Sequence, residues 1–228
     1  MSRRPQVLLL TDSLGFPRAE PEFVAYEQSW VALLREAFPQ CDVVHQGRGG
    51  ATIRDLFNHS AYYHGTMKPD LVLIQSGIVD CAPRTLTLVE QQVVTRLPLL
   101  SRPLGALVKR YSPQLRRWRG ITYTPLAQFE HFVERFEAQF PQTCWIGILP
   151  ASPGYEAQVQ GITRNVARYN DVLRQRRWID TSAFTPEDIM SDFHHLSARG
   201  HRRLADAIAP AIERLLERER AGLETAAA

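Results

Sequence analysis

Short apolar runs recur along the chain, each separated from the next by residues spaced as in a helix. The runs are Val7–Leu10, Cys41–His45, Leu71–Gln75, Trp145–Leu149 and Trp178–Ile179. Runs this short and this continuously apolar suit strands covered on both faces, as in a parallel sheet. Between the first two, Phe23, Tyr26, Trp30, Leu33, Leu34 and Phe38 predict one helix over Pro21–Phe38. Further helices are expected from about Thr52, after Thr85, along Phe129–Phe140, over Val159 to Arg174, and from Ser197 to about Arg218. The alternation predicts one α/β domain, a three-layer α/β/α sandwich around a five-stranded parallel sheet. At 228 residues such a domain buries enough core to need no disulfide or metal.

Composition narrows the class. Cys41, Cys81 and Cys144 are odd in number and far apart, which suggests neither a disulfide framework nor a zinc site. No run reaches the length of a membrane span, and Val7–Leu10 is too short for the apolar core of a secretory signal. A cytoplasmic protein is expected. The net charge of +3 is local: Arg96, Arg102, Lys109, Arg110, Arg116, Arg117 and Arg119 fall in a stretch, 91–129, that has no acidic residue. Much of it lies in a segment at about 98–125 that Pro98, Pro103, Pro113, Pro125, Gly105 and Gly120 set apart as an insertion. This basic insertion can be a solvated extension, a lid that selects an anionic or carrier-linked substrate, or a membrane-surface contact through Leu99, Leu100, Leu104, Leu107, Val108 and Tyr111. No nucleic-acid recognition motif accompanies it.

Chemistry concentrates at two places. Thr11-Asp12-Ser13-Leu14-Gly15 follows the first strand, at the sheet edge where ligands bind in open α/β folds. Ser191-Asp192-Phe193-His194-His195-Leu196-Ser197 precedes the last helix. On a tight turn Asp192 can orient one imidazole nitrogen of His195 and leave the other for a serine hydroxyl, the support a weakly acidic nucleophile needs. Two other readings of the second block stay open: Asp192 as a turn cap, and Asp192, His194, His195 and His201 as metal ligands. Cys81 is a rival nucleophile, and Arg84 can meet an anionic group.

Thr11-Asp12-Ser13-Leu14 resembles the Gly-Asp-Ser-Leu signature of the SGNH, or GDSL, hydrolases. Gly47-Arg48-Gly49-Gly50-Ala51-Thr52, Gly77-Ile78-Val79-Asp80 and Asp192-x-x-His195 resemble that family's later blocks, in order. The first block also approaches the Gly-x-Ser-x-Gly elbow of α/β-hydrolases, without its first glycine and with too little sheet before it. The SGNH resemblance implies a flavodoxin-like sheet, Ser13, His195 and Asp192 as catalytic residues, and an oxyanion hole from the N–H groups of Ser13 and Gly50. Asp12, Asp80 and Arg84 are expected near substrate. Val79 departs from the pattern, because it occupies the place of an asparagine that donates to the oxyanion. Thr52, Gln75, Asn58 and Arg84 are the candidates to replace that donor.

The implied activity is hydrolysis of a small acyl ester, such as an O-acetyl group on a sugar, through an acyl-enzyme on Ser13 and without cofactor or metal. Acyl transfer to an alcohol or amine by the same residues is the alternative. A non-catalytic scaffold binding an anionic ligand is the third reading.

Overall fold

A computed structural model describes residues 3–96 and 101–227. The strands are β1 (Gln6–Thr11), β2 (Asp42–Gly47), β3 (Leu71–Gln75), β4 (Thr143–Ile146) and β5 (Trp178–Ile179). They form one parallel sheet in the order β2-β1-β3-β4-β5. The central strands β3 and β4 are buried throughout, whereas edge strand β2 is half-buried along its length. The helices in chain order are α1 (Trp30–Ala37), α2 (Ile53–Thr66), α3 (Ile78–Cys81), α4 (Leu88–Arg96), α5 (Ser101–Arg110), α6 (Ser112–Arg119), α7 (Leu126–Gln139), α8 (Pro153–Gln158), α9 (Ile162–Arg174) and α10 (Ala198–Ala227). Helix α1 packs with α10, while α7 packs with α2 and α9, so the sheet is covered by two helical layers. Trp30, Phe129, Phe136 and Trp145 are fully buried at its centre.

Topology positions the site. From β1 the chain moves outward to β2, then returns past β1 to β3 and continues to the opposite edge. The order therefore reverses at β1, and the crevice of such a sheet opens outside the C-terminal ends of its strands at that point. Thr11, Asp12 and Ser13 emerge there.

Several elements differ from expectation. The helix predicted over Pro21–Phe38 is a 3-10 turn at Tyr26–Gln28 followed by α1. Ser29 is extended, and its side chain accepts from the Ala32 N–H, which starts a new helix at Trp30. Phe23 is consequently 73% exposed instead of facing the core. Helix α10 continues past Arg218 to Ala227, along a tail rich in good helix formers. The prolines of the insertion do not prevent helix. Pro113 sits in the first turn of α6, where its missing N–H costs nothing, and Gly120 closes that helix in a left-handed conformation. Arg116 donates to Gln158 O at 2.7 Å, and Arg119 pairs with Glu90 at 2.7 Å. Leu107, Tyr111 and Trp118 remain exposed there, and Pro98, Leu99 and Leu100 lie outside the described residues. Among the described residues no helix is long and apolar enough to cross a membrane.

Candidate active site

Ser13 opens a 3-10 turn at the end of β1, and the turn is held from three sides. Asp12 N–H donates to Gln75 O of β3 at 3.1 Å. Asp12 Oδ1 accepts from the Leu14 N–H at 3.0 Å, and Leu14 O accepts from Trp30 Nε1 at 2.8 Å. Thr11, at the signature's glycine position, is buried. Its hydroxyl donates to Asp12 O at 3.0 Å and accepts from His45 Nε2 at 2.8 Å. That side chain dictates the glycine four residues on: a Cβ at Gly15 would lie 2.2 Å from Thr11 Oγ1.

The second block folds over the same crevice. Asp192 Oδ1 accepts from the backbone N–H groups of His194 at 3.1 Å and His195 at 3.0 Å. This closes a tight turn in which Phe193 takes a positive φ of 69°. Asp192 Oδ2 accepts from His195 Nδ1 at 2.6 Å. The other ring nitrogen, Nε2, is thereby left as an acceptor and lies 2.9 Å from Ser13 Oγ. Burial pushes the Asp192 carboxyl up, but the hydrogen bonds from His195 and His194 outweigh it and hold the group below its usual range. Burial is also the main influence on His195, lowering it to about 4 against the opposing hydrogen bond from Asp192. The imidazole is neutral at pH 7 and ready to accept a proton.

A second turn is tied to the end of β1 next to the serine. The turn Arg48–Ala51 is closed by Ala51 N–H donating to Arg48 O at 3.2 Å, and Arg48 N–H donates to Thr11 O at 2.9 Å. Gly50 supplies the positive φ of 68° that this turn requires. Among the described residues the backbone N–H groups of Ser13 and Gly50 have no acceptor. Val79 is half-buried against the core, and its side chain brings no polar atom.

Of the expected substitutes for its missing donor, Thr52, Asn58 and Arg84 are engaged elsewhere or exposed, whereas Gln75 lines a small cavity with Leu14 and His194. Thr52 donates to Asp55 at 2.7 Å, as the cap of α2, and Asn58 is exposed on that helix. Arg84 donates to Val79 O at 3.3 Å and lies over the Tyr123 ring, so it holds the insertion to the sheet. Gln75 is buried at the end of β3.

Asp12 and Asp80 require correction as substrate contacts, because both are fully buried. Asp80 accepts from the Ile53 N–H at 3.0 Å, Thr124 Oγ1 at 2.5 Å and Ser76 Oγ at 3.2 Å, fastening α2 to the end of the insertion. Burial pushes Asp80 up to about 6 and Asp12 up to about 7. Cys81 is no rival nucleophile: it is fully buried, and burial pushes its thiol far above the usual range. His201 lies apart from the other histidines' task, since its Nδ1 accepts from the Trp30 N–H at 3.2 Å. Potential metal-ligating atoms of Asp192, His194 and His195 do lie within 4.8 Å of one another. Asp192 and His195 are spent on each other, however, and His194 Nδ1 donates to Asp192 O at 2.7 Å.

A contact with no counterpart in the motifs completes the site. Arg18 Nη2 donates to His195 Nε2. Only its place five residues after Ser13, behind the Gly15-Phe16-Pro17 turn, hints at this in the sequence. One small cavity lies beside the site, and a larger cleft lies apart from it. The cavity, of about 10 Å³, lies among Leu14, Gln75, Ile148, Tyr155, Phe193 and His194. The cleft, of about 1180 Å³ and bordered by Arg116, Arg164 and Arg168, lies between the insertion and α8–α9 and includes none of Ser13, Asp192 or His195.

No protein family matches the chain by sequence, and no curated protein does. Solved structures do match by shape. A lipase/acylhydrolase from Enterococcus faecalis aligns at TM-score 0.64 with 17% identity, over 91% of this chain and 95% of its own. LAE5, an α/β hydrolase from the metagenome of Lake Arreo, aligns at 0.59 with 19% identity, over 94% and 98%. Axe2, an acetylxylan esterase from Geobacillus stearothermophilus, aligns at 0.56 with 21% identity, over 91% and 94%. The chain is similar to these along nearly its whole length and shares their fold, an α/β/α sandwich around a five-stranded parallel sheet.

Proposed function

We propose that the protein is a serine esterase that hydrolyses a small acyl ester. The observation that carries this reading is the hydrogen-bonded line Ser13–His195–Asp192, set at the sheet's switch point. Ser13 Oγ attacks the acyl carbonyl while His195 Nε2 takes its proton. Asp192 orients the ring and stabilises the imidazolium. The N–H groups of Ser13 and Gly50 hold the oxyanion. His195 then returns the proton to the leaving alkoxide, and water, deprotonated by the same imidazole, releases the carboxylic acid.

Two observations support a short acyl group. The cavity beside Leu14 and His194 holds about 10 Å³, room for a single small group or water. Among the structural neighbours, Axe2 is named for removing acetyl groups from xylan. The neighbours' names describe hydrolases and esterases, which favours water over another acceptor. Turnover of 4-nitrophenyl acetate against 4-nitrophenyl octanoate tests this. The acetate should be hydrolysed faster by at least about tenfold in kcat/KM, a pocket-size discrimination of ordinary magnitude. Preference for the octanoate would overturn the short-acyl reading.

A further inference from the structure

Arg18 stands on a segment that is fixed at both ends of its reach. Arg18 N–H donates to Val24 O at 2.9 Å, and Val24 N–H donates to Arg18 O at 2.8 Å. The segment is also fastened to the Asp192 turn, where Glu22 accepts from the Ser191 N–H at 3.2 Å. The half-buried guanidinium is thereby aimed at His195, and Nη2 donates to the Nε2 lone pair that Ser13 also needs.

This is an unusual use of an arginine. Its charge is permanent and its donors are built for two-point pairing with carboxylate or phosphate. Yet among the described residues none of the ion pairs involves Arg18. Its Nε is buried with no hydrogen-bond partner. Asp12 feels the Arg18 charge only as the last of several influences, and burial keeps that acid up at about 7. A half-buried cation without an anion carries a cost that an incoming anion would relieve.

Its position says which half of an ester such an anion belongs to. Nε2 delivers the proton to the departing alkoxide, so a group beside Nε2 lies beside the alcohol half. We infer that Arg18 determines specificity by pairing with an oxyanion substituent, carboxylate or phosphate, carried on the alcohol half of the ester. The inference rests on the esterase reading of Ser13 and His195. Pairing draws the guanidinium off Nε2 and returns that lone pair to Ser13, so an anionic ester both binds and unmasks the base. A neutral ester does only the former, and weakly.

The test compares phenyl acetate, 3-acetoxybenzoate and 3-acetoxyphenyl phosphate with wild type, Arg18→Ala and Arg18→Lys. A charge-assisted hydrogen bond of typical strength predicts that wild type favours an anionic ester over phenyl acetate by about ten- to a hundredfold in kcat/KM. Which anionic ester is favoured distinguishes carboxylate from phosphate. Arg18→Ala should bring the ratio near one, by raising KM for the anionic esters and raising kcat for phenyl acetate, and Arg18→Lys should retain part of it. A ratio taken within one variant is insensitive to how much of that variant is folded. A wild-type ratio near one, or a ratio that Arg18→Ala leaves as it was, overturns the inference while Ser13 keeps its role. Failure of wild type to turn over any of the three esters more than Ser13→Ala does overturns both readings.

Discussion

Ser13 Oγ lies 2.9 Å from His195 Nε2, although 182 residues separate them in sequence. The contact exists because both residues leave regular structure at one edge of the sheet. Ser13 leaves β1 there, and His195 sits on the turn that leads into α10. Neither side chain is held by the other alone: Trp30 fixes the turn after Ser13, and Asp192 fixes the ring of His195.

The acid limb of catalysis should reflect the burial of His195. The base works only when neutral, and its folded-state value is lowered from 6.5 to about 4. kcat/KM for 4-nitrophenyl acetate is therefore expected to be level above about pH 5 and to fall tenfold per unit below about 4. A limb near the unperturbed imidazole value would contradict a buried, neutral base. Asp192→Asn removes an interaction that raises this value, so its limb should move lower, with kcat reduced by about 10⁴-fold.

Gly15 should be irreplaceable while Thr11 is present. An alanine methyl there would sit 2.2 Å from Thr11 Oγ1 and 2.7 Å from His45 Nε2. Gly15→Ala is expected to destabilise by about 1–3 kcal/mol through overpacking. The double variant Thr11→Gly/Gly15→Ala should recover part of that loss in urea unfolding. Strict additivity of the two substitutions would refute the pairing.

Asp80 should matter to stability rather than to substrate binding. Asp80→Ala leaves the Ile53 N–H and the hydroxyls of Thr124 and Ser76 without their acceptor. Each unsatisfied buried donor costs about 1–3 kcal/mol, less what water recovers. A clear fall in Tm is expected, with KM close to wild type in whatever remains folded. An unchanged Tm with a raised KM would restore Asp80 as a substrate contact.

On the proposed mechanism Val79 leaves the oxyanion to backbone donors. Val79→Asn should retain or raise kcat on simple acetate esters, because an added donor at this position is worth up to about 10²–10³-fold where it is well placed. A severe loss in a folded variant, shown by an unchanged circular dichroism spectrum, would mean that the valine shapes the pocket.

The apolar runs made the sheet legible, since Leu8, Leu9, Leu73 and Ile74 are covered on both faces and a continuous run has few other uses. The spacing of Asp192 and His195 made their pairing legible, because three residues of tight turn leave them little choice. The helix boundary at Ser29 shows the limit of periodicity. The apolar spacing runs on through Phe23 and Tyr26, but the cap decides where the helix starts. Residue type alone misplaced Asp12 and Asp80, whose carboxylates look chemical in a motif and turn out to hold backbone and hydroxyl donors inside the fold. Arg18 left the faintest trace. It reaches His195 only because two extended residues, Arg18 and Val24, bridge each other, and such a contact has no periodic signature.

The most direct test of the account is intact-protein mass spectrometry after treatment with a fluorophosphonate, which phosphonylates a serine activated by a neighbouring imidazole. The account predicts a single adduct on the wild-type protein, none on Ser13→Ala, and strongly slowed labelling of His195→Ala. Equal labelling of Ser13→Ala and wild type would contradict it.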